Sequence, residues 1–136
     1  MDLKALKRIL VPYNMTGYAD GALRQGLVAA DRYGAAVTAV YVAADGEGAA
    51  DALERLKDHL VDALGEDEAR RVSTVVSEGA PAHGILDEAV SSRHDLIVLS
   101  AHRKAFWKDV VLGTTAERVL RHSPVPVLSI PSDAEG

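Results

Sequence analysis

Five short apolar runs alternate with amphipathic stretches along the chain. Arg8–Pro12 opens the series, with Ile9, Leu10 and Val11 as consecutive apolar positions. A run without polar alternation suits a strand covered on both faces, as in a parallel sheet. After a polar loop at 14–18, Ala22, Leu23, Leu27, Ala30 and Tyr33 recur at helical spacing, and Gly34 reads as the C-terminal stop. Gly21 and Gly26 each weaken this helix by roughly 1 kcal/mol relative to alanine, and both read as places of close packing on a sheet. Val37–Val42, rich in β-branched residues, predicts a second strand. A turn-prone break at Asp45–Gly48 follows. Leu53, Leu56, Leu60 and Leu64 then mark one face of a helix ending at Gly65.

Arg71–Ser77 alternates in part and predicts a third strand at a sheet edge. Glu78–Pro81 reads as a turn, with Pro81 at the first position of a helix whose buried stripe is Ile85, Leu86, Ala89 and Val90. Asp95–Ser100 is the clearest central strand. A last helix over about Thr115–Arg121 and a fifth strand at Pro126–Ile130 lead into a polar tail. There is no internal repeat, low-complexity tract or linker. The alternation predicts one doubly wound α/β domain spanning 1–136, with right-handed crossovers and helices on both sheet faces. Residues 1–7 and 131–136 are expected to be flexible ends.

Composition narrows the function classes. The 136 residues, 48% hydrophobic and 26% charged, suit a single globular domain with its own core. A formal net charge of -5 argues against general nucleic-acid binding, which needs a clustered excess of Lys and Arg. With no cysteine, disulfides, thiolate catalysis and Cys-based metal sites are excluded. No apolar run is long enough to span a membrane, and 1–7 lacks the apolar core of a signal peptide, so a cytoplasmic location is expected.

The candidate chemistry lies between Ser100 and Val119, from the carboxyl end of the fourth strand into the last helix. In open α/β sheets ligands bind at this end, where strand order reverses. Gly113 allows a sharp turn into the helix, while Thr114 and Glu117 have capping-box spacing. Backbone N–H groups at such a helix start favour an anion such as phosphate. Thr-x-x-Glu also begins many helices with no ligand, so the spacing alone leaves both readings open.

The chain resembles the universal stress protein family in Ile9-Leu10-Val11-Pro12, in Gly79-Ala80-Pro81 and in the closing segment Leu112–Leu128, which reads LGTTAERVLRHSPVPVL. The resemblance implies a Rossmann-like, five-stranded parallel sheet of order 3-2-1-4-5 and a homodimer joined through Pro126–Ile130. Members that bind ATP carry a glycine, a second glycine three positions on, and a Gly-Ser/Thr pair ten positions further. Those places are Ser100, Arg103, Gly113 and Thr114 here, so the second half of the motif is kept and the first two glycines are replaced. Where the family often carries Asp after the first strand, this chain has Asn14. The resemblance implies an adenine nucleotide, ATP (with Mg²⁺) or AMP, contacted by Pro12, Asn14, Ser100, His102, Arg103, Gly113, Thr114 and Thr115.

Other residues carry less. His102 is either a phosphate contact or a loop histidine bonded to backbone carbonyls. His59, His83, His94 and His122 have no metal-ligand spacing. Phe106 and Trp107, between Lys104 and Lys108, read as loop cover or a subunit contact rather than a stacking platform. No Gly-x-Ser-x-Gly elbow and no P-loop is present. The reading is a regulatory, stress-protective binding protein. A dimeric interaction module without nucleotide is the alternative, and slow ATP hydrolysis involving His102 or Asp109 is the weakest.

Overall fold

A computed structural model describes residues 5–103, 110–111 and 113–133. The first three strands are β1 (Arg8–Pro12), β2 (Ala36–Ala43) and β3 (Val72–Glu78). β4 (Leu96–Arg103), β5 (Val110–Val111) and β6 (Val127–Asp133) complete the sheet. Its helices are α1 (Gly17–Tyr33), α2 (Ala49–Leu64), α3 (Glu66–Ala69), α4 (Pro81–Ser91) and α5 (Thr114–His122). The five long strands are all parallel, in the order β3-β2-β1-β4-β6, which is the topology expected from the sequence. The two-residue β5 pairs antiparallel to His102 and Arg103 of β4 and had no counterpart in the hydrophobic pattern.

Side chains of β1 divide the core by simple alternation. Ile9 and Val11 join Leu23, Leu56, Leu60 and Val98 on one face. Leu10 joins Val40, Ile85, Ile97, Leu99 and Val119 on the other. All three apolar residues of β1 are fully buried, which is why the run shows no polar alternation. Asp95 fastens the amino end of the sheet. Its Oδ2 accepts the backbone N–H groups of Lys7 and Arg8, each at 2.9 Å.

Helix boundaries follow the expected punctuation. Gly34 caps α1 in the left-handed conformation, and Pro81 stands in the first turn of α4. The two glycines inside α1 differ in their surroundings. A Cβ on Gly26 would lie 3.0 Å from Val11 Cγ2, whereas one on Gly21 would meet Ile130 Cγ2 at an ordinary 3.9 Å. Close packing on the sheet is therefore real at Gly26 and absent at Gly21.

Two expectations need correction. Val90 is 61% exposed, and the buried face of α4 is Ala82, Gly84, Ile85 and Ala89 instead. The fifth long strand does not stop at Ile130 but continues beside β4 as far as Asp133. Pro131 is tolerated because β6 is an edge strand and its missing N–H need not face β4. Near the described ends, Leu6 is 1% exposed, and Ser132 and Asp133 pair with His102 and Arg103 of β4.

Candidate functional site

At the carboxyl ends of β1 and β4, where the strand order reverses, a cleft of about 360 Å³ opens. Its β1 side is built by a short turn. Tyr13, 3% exposed, donates its backbone N–H to Val40 O at 2.8 Å and its hydroxyl to Asp20 Oδ1 at 2.5 Å. Burial, and then the Asp20 carboxylate, push the Tyr13 hydroxyl well above the ordinary tyrosine range. Met15 takes a left-handed φ of 62°, which folds the loop back on itself. Thr16 then donates its N–H and its hydroxyl to Asn14 Oδ1, at 3.2 Å and 2.6 Å.

On the β4 side stands Ser100, whose Oγ is buried and has no hydrogen-bond partner among the described residues. Opposite it lies the first turn of α5. Gly113 occupies the capping position in an extended conformation, with no side-chain cap. The expected Thr114–Glu117 capping box does not form, because Thr114 is already inside the helix, one place too late to cap it. Glu117 accepts a hydrogen bond from Arg121 Nη2 at 2.8 Å instead. The N–H groups of the first turn, the positive end of the helix dipole, thus keep no side-chain acceptor and border the cleft.

The cleft gathers Pro12, Asn14, Ser100, Gly113, Thr114 and Thr115, six of the residues singled out from the sequence. His102 and Arg103 lie in the last part of β4, which pairs with β5 and β6, and their side chains lie outside the described structure. Phe106, Trp107 and Asp109 also lie outside the described residues. The sequence reading missed Tyr13, Tyr18 and Tyr41, which also line the cleft. For Tyr13 a signal existed, since it stands between two residues already selected.

Tyr41 gave no such signal, because its role depends on a side chain beyond β2. Its hydroxyl donates to both Glu47 oxygens at 2.8 Å, and Ala44 N–H donates to Glu47 Oε1 at 2.8 Å. Arg55 completes the group with a bond to Glu47 Oε2. The Ala44 N–H first, then the Tyr41 hydroxyl and Arg55, hold the Glu47 carboxyl below its usual range. This carboxylate fixes the loop between β2 and α2 beside the cleft. Among the described residues no group of three or more His, Cys, Asp or Glu could hold a metal ion.

Sheet and cleft together define an α/β protein with an open cleft at the switch point of a doubly wound sheet. The family model of the universal stress protein family matches residues 5–131. The chain belongs to the universal stress protein family. It is 28% identical over 138 residues to the universal stress protein MJ0531 of Methanocaldococcus jannaschii, covering 91% of this chain and 81% of that one. It superposes on the universal stress protein UspA of Lactobacillus plantarum with a TM-score of 0.66 at 30% identity, covering 92% of this chain and 97% of that one. The Archaeoglobus fulgidus universal stress protein in complex with dAMP shares the fold, with a TM-score of 0.67 at 18% identity and coverage of 92% and 97%. No helix among the described residues is long and apolar enough to cross a membrane.

Proposed function

We propose that this stress-response protein binds an adenine nucleotide, AMP or ATP, in the cleft over the carboxyl ends of β1 and β4, and works as a regulator rather than a catalyst. The observation that carries the reading is the uncapped start of α5, bordering the same cleft as Ser100, whose buried hydroxyl has no partner among the described residues. Phosphate oxygens would accept from the first-turn N–H groups and from the Thr114 and Thr115 hydroxyls, with His102 and Arg103 following on from β4. Pro12, Asn14 and Ser100 would border the nucleoside. The Archaeoglobus protein in complex with dAMP supports an adenine nucleotide as the ligand class. ATP would bring Mg²⁺ held through its own phosphate oxygens. The cytoplasm is the compartment in which such a regulator meets its nucleotide.

Calorimetric titration with AMP and ATP tests the reading. Binding should be weakened several-fold by Thr114→Ala, through loss of one hydroxyl contact worth about 1 kcal/mol. If neither nucleotide binds the unaltered protein at millimolar concentration, the reading is wrong.

A second reading, a dimeric module without nucleotide, is favoured by Ser100, which sets a side chain where glycine would leave the cleft wall open. In both readings we place a homodimer contact at Pro126–Ile130. β6 is an edge strand paired only with β4 among the described residues, and its Leu128 is 44% exposed. A monomeric mass by light scattering at micromolar protein overturns the dimer.

A further inference from the structure

The turn at the end of β1 decides which atom of Asn14 can meet a ligand. Oδ1 is occupied twice, by the N–H and by the hydroxyl of Thr16. A backbone N–H can only donate, so its partner must be the amide oxygen, and the orientation of the side chain follows. Met15 in the left-handed region sets this turn. The group left over is Nδ2, which donates to no described residue, and Asn14 is an exposed residue on the cleft wall.

We propose that Asn14 is a specificity-determining residue that meets the ligand as a hydrogen-bond donor, so that the bound nucleotide must turn an acceptor atom toward residues 14–16. This rests on the nucleotide reading above and refines it. Ser100, Thr114 and Thr115 can donate or accept, and the backbone N–H groups of the first turn of α5 can only donate. The cleft can therefore offer a donor at each end, the Asn14 amide at one and the first-turn N–H groups at the other. It suits a ligand with acceptors at both, such as phosphate oxygens at one end and a ring nitrogen or ribose oxygen at the other. Aspartate at position 14 would keep the turn, since either carboxylate oxygen can accept from Thr16. It would replace Nδ2 by a second acceptor, reversing the polarity at almost unchanged shape.

The test is Asn14→Asp, titrated with AMP and with dAMP at low ionic strength and again in about 0.5 M salt, where the Debye length is roughly 4 Å. AMP affinity should fall about tenfold, and the loss should persist in salt, because a missing donor is not restored by screening. Loss with AMP but not with dAMP assigns the acceptor to the ribose 2′ oxygen. Equal loss with both assigns it elsewhere on the nucleoside. Asn14→Ser, too short to reach the ligand as Nδ2 does, should lose affinity to a similar degree and guards against a folding artefact in the first variant. Equal or tighter binding by Asn14→Asp overturns the donor assignment and leaves the nucleotide reading intact, as does a loss abolished by salt. If the unaltered protein binds neither AMP nor ATP, the nucleotide reading falls and this assignment with it.

Discussion

Replacing Gly26 by alanine should destabilise the protein even though it improves the helix. In a helix interior alanine is favoured over glycine by about 1 kcal/mol, and the same change at Gly21 should realise that gain because its new methyl would touch only Ile130 Cγ2 at 3.9 Å. At Gly26 the methyl would sit 3.0 Å from Val11 Cγ2. Val11 is fully buried on the central strand, has a stiff β-branched side chain, and lies between paired strands on both sides. It cannot withdraw without moving β1. Overpacking of this kind costs about 1–3 kcal/mol, which exceeds the helix gain and leaves a net loss of about 1 kcal/mol. The two single variants should therefore differ by about 2 kcal/mol, or roughly 8 °C in Tm for a domain of this size. Urea denaturation followed by circular dichroism reads the difference as opposite shifts of midpoint at constant slope. A Gly26→Ala protein as stable as Gly21→Ala would show that the α1–β1 contact is not close-packed, and the reasoning would fail.

Two further outcomes follow from polar contacts. The raised ionisation of Tyr13, from the ordinary 10.0, means that the folded state holds this proton more tightly than the unfolded chain. Its stabilising contribution is complete below pH 10 and is lost as the pH climbs further. Stability should thus decline as the pH rises above about 10, and less steeply in Tyr13→Phe, which has no such proton; identical slopes would refute the linkage. Asp95→Ala leaves the N–H groups of Lys7 and Arg8 without their acceptor and should cost about 1–3 kcal/mol, with Asp95→Asn costing less because an amide oxygen remains. Indistinguishable midpoints for native and Ala proteins would mean that water replaces the carboxylate fully.

Much of this architecture was legible in the residues because it depends on local rules. Ile9-Leu10-Val11 had to be buried on both faces wherever the sheet placed it. Gly34 and Pro81 act within one turn of their own backbone. The candidate site was legible where backbone and position define it, at Pro12, Gly113 and Thr114, since strand ends and helix starts follow from element boundaries. It was not legible at Tyr41, whose part depends on Glu47 and Arg55 in the next loop and helix, nor in β5, which is too short to leave a hydrophobic pattern.

The sequence by itself determined the strand and helix series and the two-sided burial of the sheet, because both follow from side-chain periodicity and from the conformational limits of glycine and proline. Only the tertiary structure decided which of two similar glycines is indispensable, since that depends on a methyl group fifteen residues away on another element. It also decided that Thr114 falls inside α5 rather than capping it, which leaves the helix start open to an anion. The same holds for Asn14. Its capacity to donate and accept is written in the residue, but Thr16 takes the oxygen, and the fold thereby decides that the amide nitrogen is the end left over.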